Sequence, residues 1–213
     1  MKEYLNEAII QGPILSIIQN REGMAVEIET KVRGEVYRPR VEFYGKNIVA
    51  GLKVGDNITV FGYMQNHLRE RENGKSGSVC TIVGEKIERT KRYLHEFFSK
   101  EDIPEERGGG ADDRNEIVMI GDVMNIYVPD KDRAFAILKV GVKDDQHKGQ
   151  CDFVMFERQA REAKKLSPGD KVAIAGYYST KPPKNDPKKP GRSVICRDIY
   201  HIIKRAEVTE EDI

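Results

Sequence analysis

The sequence contains no tryptophan, and aromatic residues make up only 8% of its 213 residues. It also lacks an apolar run near the roughly 20 residues that a helix needs to cross a bilayer. The opening segment "MKEYLNEAII" has no apolar central region of the kind found in secretory signals. These absences predict a protein without a membrane partner and a cytoplasmic location.

Cysteine is scarce, with Cys80, Cys151 and Cys196 as the three examples and no C-x-x-C pair among them. An odd number without paired spacing argues against a disulfide framework and against a zinc site. The four histidines also lie far apart in the chain. We therefore predict no metal and no cofactor, and we interpret the cysteines as small buried hydrophobic residues.

A charge imbalance is missing as well, because the formal net charge is only +1. Binding to nucleic acid would have to come from local basic clusters. The sequence contains no P-loop, no G-x-S-x-G segment and no Cys-His arrangement that would support catalysis. A protein that is not an enzyme is predicted, with a length that suits two domains of about 100 residues.

One plan occurs twice in the chain. Asn6-Glu7 and Gly12 return as Asn115-Glu116 and Gly121, with an offset of 109 in both cases. The segment "FYGKNIVAGLKVGDNITVFGYM" (43–64) likewise returns as "MFERQAREAKKLSPGDKVAIAGYY" (155–178). The offset grows along the chain, to 112 between Tyr44 and Phe156, 114 between Gly62 and Gly176, and 115 between Val79 and Val194. Loops of different length between elements in the same order would explain this growth.

Apolar residues alternate within each copy, which is typical of half-buried strands. Each copy is predicted to contain three strands, a short helix and two further strands. The helix is clearest where Ala160, Ala163 and Leu166 follow one another at three-residue spacing, whereas "KNIVAGLKVGD" in copy one allows a single turn. This order is that of the OB-fold. The predicted fold class is all-β with short helices, in two tandem five-stranded OB-fold barrels.

The domain boundaries follow from composition. Domain one is predicted at 1–98 and ends in a short helix with Tyr93, Leu94, Phe97 and Phe98 at helical spacing. Residues 99–114 combine charge, proline and three glycines, as flexible linkers do. Domain two is predicted at 115–206 and an acidic tail at 207–213. In the fourth strand of each copy, a glycine (Gly62 or Gly176) is expected to permit a sharp bend.

The segment "YRPRVEFYGKNI" followed by "LKVGDNITVFGYM" resembles bacterial and phage-type single-stranded DNA-binding proteins. Copy two keeps "LSPGDKVAIAGYY" but has Glu157-Arg158 where copy one has Gly45-Lys46. The resemblance implies non-catalytic, largely sequence-independent binding that coats single-stranded DNA in replication, recombination, repair or transfer of a mobile element. It also implies that the residue at Tyr44 stacks on bases, with an earlier stacking position near Tyr37 or Arg38.

Alternation along the strands indicates which side chains point outward. If Val41 and Phe43 face the core, Tyr44 faces outward, and Phe156 does so in copy two. For both side chains we favour contact with nucleic acid, with structural packing as the alternative. We expect Tyr44 to be the stronger platform, because the carboxylate of Glu157 would repel a phosphate beside Phe156. Phe135, aligned with Val26, is predicted to lie in the core. For Phe61, Tyr63 and Tyr177, a subunit interface and DNA remain equally open.

The loop between strands four and five of copy two, "STKPPKNDPKKPGR", is predicted to be a stiff basic arm. Its copy-one equivalent, "HLRERENGKSG", is predicted to be an ordinary hairpin whose tip is either solvated or in contact with phosphate. The complete set of predicted DNA-binding residues is Tyr37, Arg38, Arg40, Tyr44, Lys46, Phe61, Tyr63, Arg69, Arg71, Phe156, Arg158, Tyr177, Lys181, Lys184, Lys188, Lys189 and Arg192.

Further partners follow from the resemblance. The last residues, which include Glu207, Glu210, Glu211 and Asp212, resemble the acidic tips by which this family recruits replication or recombination proteins, although a solvated tail is the alternative. A homodimer would supply four barrels. Two other functions remain open: an OB-fold RNA-binding or replication-restart accessory protein, and a protein-protein interaction scaffold.

Overall fold

The computed structural model describes residues 4–19, 21–70, 76–89, 113–129, 134–143, 148–182 and 191–202. Strands dominate this part of the chain, with a 3-10 helix at Gly45–Asn47 and an α-helix, α1, at Glu157–Ala163. The strands are β1 (Leu5–Gln19), β2 (Gly23–Ile28), β3 (Thr30–Val32), β4 (Glu35–Tyr37), β5 (Arg40–Tyr44), β6 (Asn57–Glu70), β7 (Ser76–Arg89), β8 (Asn115–Tyr127), β9 (Phe135–Lys143), β10 (Lys148–Phe156), β11 (Lys171–Ser179) and β12 (Ser193–His201). The all-β prediction with short helices is confirmed.

Five strands of the first copy form a closed ring, which we call ring one. Its order is β1, β2, β5, β7 and β6, and β6 pairs back onto β1. Neighbouring strands are antiparallel except for β5 and β7, which run parallel. The 3-10 helix follows β5, at the predicted position between the third and fourth strands of the ring.

The second copy repeats this connectivity as ring two. Its order is β8, β9, β10, β12 and β11, with β11 returning to β8 and with β10 parallel to β12. Helix α1 follows β10, and its buried residues are Ala160 and Ala163, as their spacing predicted. A five-stranded barrel with a helix between strands three and four is the OB-fold arrangement.

The inward side chains fill each ring in the predicted alternation. Val41 and Phe43 of β5 are fully buried, as are Phe153 and Met155 of β10. Burying each such side chain stabilises the fold by roughly 1.5–3 kcal/mol. The three cysteines are also buried, which confirms their interpretation as core residues.

The rings are joined by pairing between β1 and β8. The register places Ala8 opposite Ile117, which is its own counterpart at the offset of 109. Asn6 lies opposite Met119, and Ile10 lies opposite Asn115. Because equivalent positions exchange places across the pair, the contact has local two-fold symmetry.

The repeated asparagines stabilise β1 and β8 beside this junction. The side-chain amide of Asn6 donates to the carbonyl oxygen of Met64 at 2.9 Å, and its oxygen accepts from the Met64 N–H at 2.9 Å. Asn115 makes the same two bonds with Tyr178, also at 2.9 Å each. The side-chain amide of Asn6 therefore takes the place of a main-chain partner for Met64, close to where the pairing of β1 with β6 ends and only its pairing with β8 continues.

A hairpin of β3 and β4, which the sequence did not predict, makes a second contact between the rings. Tyr37 at its end packs on Tyr177 of ring two, with ring centroids 5.3 Å apart. The N–H of Arg38 donates to Thr180 Oγ1 at 2.9 Å, and Lys181 Nζ lies 2.8 Å from Glu35 Oε2.

The predicted bends at Gly62 and Gly176 are present. The register of the strand pair shifts next to each glycine. A Cβ at Gly62 would lie 2.0 Å from the carbonyl oxygen of Val83, and one at Gly176 would lie 2.3 Å from that of Ile195. Close approach of the fifth strand is therefore the reason for glycine at both positions.

One equivalence proposed from the sequence is wrong. Val194 lies opposite Phe153, and in ring one it is Ile82, not Val79, that lies opposite Val41. The true offset in the fifth strand is therefore 112, as it is in the third. Both segments are rich in valine and isoleucine, so the apolar pattern alone does not fix the register.

Candidate nucleic-acid interface

The outer surface of the second and third strands is the part of an OB-fold that binds oligonucleotides. In ring one these strands are β2 and β5, and in ring two they are β9 and β10. Tyr44 is 44% exposed at the end of β5, and Phe156 is 48% exposed at the end of β10. The prediction that both side chains point outward is confirmed.

The surroundings of Tyr44 are a hydrogen bond on its own strand and a glycine on the neighbouring strand. Its hydroxyl donates to Glu42 Oε2, two residues earlier on the same strand face. Partial burial, followed by this bond, raises the pKa of Tyr44 to about 12, so the phenol is neutral at physiological pH. On the neighbouring strand Gly23 lies opposite Tyr44, and a Cβ there would be only 3.2 Å from the Tyr44 ring. The glycine therefore leaves space beneath the ring.

Phe156 has an aromatic neighbour in place of that glycine. Phe135 lies opposite Phe156 in the β9–β10 pair, with ring centroids 5.6 Å apart at 57°. Phe135 is half-buried, while Ala136 beside it fills the core. The prediction of Phe135 as a core residue is corrected: the pairing makes it the counterpart of Gly23, not of Val26.

A basic residue follows each exposed aromatic by two positions. Lys46 lies in the 3-10 helix after Tyr44, and Arg158 lies in the first turn of α1 after Phe156. Both are exposed. The substitution of Glu157 for Gly45 therefore leaves the cation at the equivalent place in both rings.

Other predicted cations are already paired within the chain. Arg40 Nε lies 3.8 Å from Glu42 Oε1, and Arg38 Nε lies 3.5 Å from Glu29 Oε2. Lys181 is paired with Glu35, whereas Arg192 is exposed just before β12. Surface pairs of this kind are weak, so a phosphate can compete for them.

Tyr37 and Tyr177 occupy positions different from those predicted. Tyr37 is 6% exposed and Tyr177 is half-buried against it. Burial, together with the hydroxyl of Tyr177, raises the pKa of Tyr37 to about 12. Tyr37 and Tyr177 thus contribute to the contact between the two barrels. A role for either side chain in binding DNA, or for Tyr177 in a subunit interface, stays a prediction.

In the fourth strand of ring one, Phe61 and Tyr63 are half-buried, and Lys86 Nζ lies 5.6 Å from the Phe61 ring centroid. The side chain of Arg69 and all of Arg71, Lys184, Lys188 and Lys189 lie outside the described residues, as do the predicted helix before the linker and the acidic tail.

Sequence reasoning missed Tyr127, which is 56% exposed at the end of β8. It lies opposite Ile137 on β9. Its counterpart at the offset of 109 is Ile18, which is 54% exposed. Carrying that offset to the end of the first strand would have identified the pair.

Comparison with solved structures finds proteins of similar fold. A deletion and substitution variant of the single-stranded DNA binding protein from Thermus aquaticus matches with a TM-score of 0.64 and 13% identity, over 99% of this chain and 100% of that one. The wild-type Thermus aquaticus protein matches with a TM-score of 0.64 and 14% identity, over 96% of each chain. No protein-family model matches, and no curated protein matches by sequence.

Among the described residues, no helix has the length and apolar character required to cross a bilayer.

The match to the Thermus aquaticus structures extends over almost the whole of both chains, so it concerns both rings. The resemblance to single-stranded DNA-binding proteins is thereby confirmed at the level of the fold.

Proposed function

We propose that this protein binds single-stranded DNA without catalysis and largely without reading its sequence. The observation that carries the proposal is an exposed aromatic side chain at the same position of both barrels, Tyr44 in ring one and Phe156 in ring two. Both side chains lie on the surface that OB-folds use for oligonucleotides. The Thermus aquaticus proteins that share the fold are described as single-stranded DNA binding proteins, which supports the same function.

The chemistry suits an unpaired strand. Every base has a π-face, so stacking on Tyr44 or Phe156 is tolerant of sequence and contributes roughly 1–3 kcal/mol per base. Lys46 and Arg158, each two residues after the exposed aromatic side chain, can neutralise phosphates. A duplex conceals its base faces, so it would gain only the electrostatic part. Binding of this kind coats the strand and protects it, and we propose replication, recombination, repair or mobile-element transfer in the cytoplasm as its setting.

The test is a titration of labelled oligo-dT, oligo-rU and a duplex of equal length at several salt concentrations. We expect tight binding to oligo-dT, weak binding to the duplex and affinity that falls as salt rises, because neutralised phosphates release counterions. Equal affinity for duplex and single strand would refute the proposal. A preference for oligo-rU would favour an RNA-binding role, and no binding to any of the three would favour a protein scaffold.

The basic arm belongs to the same proposal. Lys184, Lys188 and Lys189 stand close together in a segment that contains four prolines. Replacing all three by glutamine should reduce the slope of log affinity against log salt, since a phosphate that is no longer neutralised keeps its counterion. An unchanged slope would remove the arm from the binding surface.

Assembly and recruitment are proposed on the family resemblance. A homodimer would place four rings in one particle, and light scattering should then give twice the chain mass of 24.3 kDa. Part of the Tyr177 surface is already covered by Tyr37, so Phe61 and Tyr63 are the other side chains proposed for the dimer contact. Deleting residues 207–213 should abolish capture of a replication or recombination protein if the acidic tail recruits it.

A further inference from the structure

The outward surface of ring two carries a continuous group of apolar and aromatic side chains. Across three strands, Tyr127 lies opposite Ile137, and Ile137 lies opposite Val154. In the adjacent row Phe135 lies opposite Phe156. Directly opposed residues share one face of a sheet, so these five belong to one surface, which we call the ring-two face.

Two aromatic rings on the ring-two face are open to solvent. Tyr127 is 56% exposed and Phe156 is 48% exposed, while the other three members are half-buried around them. Neighbouring strands lie about 4.8 Å apart, so rings on β8 and β10 are separated by roughly 10 Å across the sheet. That separation lets them receive two different bases of one strand.

The same five positions of ring one, which we call the ring-one face, carry different chemistry. The identical pairing pattern places Ile18 opposite Ala25, Ala25 opposite Glu42, and Gly23 opposite Tyr44. The offset to the ring-two face is 109 on the first strand and 112 on the other two. The ring-one face therefore has one aromatic residue where the ring-two face has three.

Charge adds to this difference. Glu42 of ring one occupies the position of Val154, and its carboxylate lies beside the single aromatic of the ring-one face through the bond from the Tyr44 hydroxyl. The next row of residues does not change this difference in charge, because each ring has one acidic and one basic residue there. In ring one Glu27 lies opposite Arg40, and in ring two Lys139 lies opposite Asp152. Among the five positions, the ring-one face thus carries one carboxylate that the ring-two face lacks, whereas the exposed Glu157 after Phe156 stands where ring one has Gly45.

We infer that the two rings contribute unequally and that the ring-two face is the principal base-stacking surface, with Tyr127 as a platform in addition to Phe156. The ligand is an unpaired nucleic-acid strand, so the inference rests on the proposed function. It reverses the expectation from sequence, which considered Glu157 but not Glu42 and could not place Tyr127 on the face of Phe156.

The test compares matched positions in the full chain. Tyr127→Ala and Phe156→Ala should each weaken oligo-dT binding by about 5- to 150-fold, the range expected for one stacked base. Ile18→Ala should leave affinity within about 2-fold, and Tyr44→Ala should cost less than either ring-two variant. Tyr127→Phe should retain affinity, whereas Tyr127→Leu, which keeps apolar area without a π-face, should lose it. Unchanged melting temperatures exclude misfolding as the cause.

A second measurement uses the absence of tryptophan. Tyr127→Trp and Ile18→Trp each introduce a single indole into a chain that has none. Stacking on a base quenches indole emission, so saturating oligo-dT should quench the residue-127 reporter strongly and the residue-18 reporter weakly.

The outcomes separate the inference from the proposed function. If the wild-type chain does not bind oligo-dT, the proposed function itself fails. If the wild-type chain binds, but Tyr44→Ala costs more than Tyr127→Ala and Phe156→Ala, the inference alone is overturned. Equal quenching of the two tryptophan reporters would overturn it as well.

Discussion

Replacing Asn6 by alanine removes two buried hydrogen bonds at the junction of the rings. The side chain of Asn6 is 4% exposed and satisfies both the N–H and the carbonyl of Met64, each at 2.9 Å. The alanine variant leaves both main-chain groups of Met64 without these partners. Since Met64 itself is fully buried, water reaches the freed groups with difficulty.

The expected cost follows from these two bonds. Each buried hydrogen bond contributes about 1 kcal/mol net, and each main-chain group left unsatisfied costs about 1–3 kcal/mol. The free energy of unfolding should therefore fall by about 2 kcal/mol if water enters and by about 4 kcal/mol if it does not. For a chain of this length each kcal/mol lowers the melting temperature by roughly 2–4 °C.

The assay is urea unfolding followed by circular dichroism, with Asn125→Ala as the control. Asn125 lies on the outward side of β8 and is exposed, so its replacement should change stability by less than about 0.5 kcal/mol. Asn115→Ala should lose at least as much stability as Asn6→Ala, because Asn115 makes the same two bonds with Tyr178 and also donates to Thr30 Oγ1 at 3.3 Å. If both variants lose no more stability than the control, the assignment of the repeated asparagines as partners of the main chain is refuted.

Three further predictions concern the glycines and the cysteines. Gly62→Ala and Gly176→Ala should each destabilise the protein by about 1–3 kcal/mol in the same urea assay, because the new methyl group meets a main-chain oxygen; equal stability to wild type would contradict this. Burial, followed by the bond with Cys80, raises the pKa of Cys151, and the Cys80 side chain is itself buried. Iodoacetamide at pH 8 should therefore label both thiols slowly in the native protein and fully in urea, and rapid native labelling would count against the packing. Burial raises the pKa of Cys196 from 9.0 to about 12, so above pH 9 the folded state retains a proton that the unfolded state releases. The contribution of this thiol to the free energy of unfolding is therefore complete below pH 9 and is lost as pH rises toward 12. Cys196→Ala should flatten that part of the profile of stability against pH, measured by thermal melts.

The sequence predicted well those features that depend on local pattern. Two-residue alternation identified Val41 and Phe43 as buried and Tyr44 as exposed, because the period of a strand assigns each residue to a face. The matched glycines in strand four were also interpreted correctly. Such features need only the order of residues within one element.

What the sequence did not predict depends on which elements are neighbours. Alternation assigns Tyr37 a face but does not reveal that ring two covers it. The hairpin of β3 and β4 has strands of only three residues, joined through Arg33 and Gly34 at positive φ, and so has little periodicity to detect. The offset of 109 could have matched Tyr127 to Ile18, but the place of Tyr127 opposite Ile137 is a property of the strand register.

The local two-fold contact between β1 and β8 has a consequence for how this protein can change over time. In a dimer of identical chains, one codon change alters both halves of the contact and both binding faces together. In this protein the two halves are separate segments of one chain and can change independently. Position 23 is therefore glycine although its counterpart at position 135 is phenylalanine. Natural selection can therefore change one face while β1 and β8 keep the symmetric contact that joins the two rings.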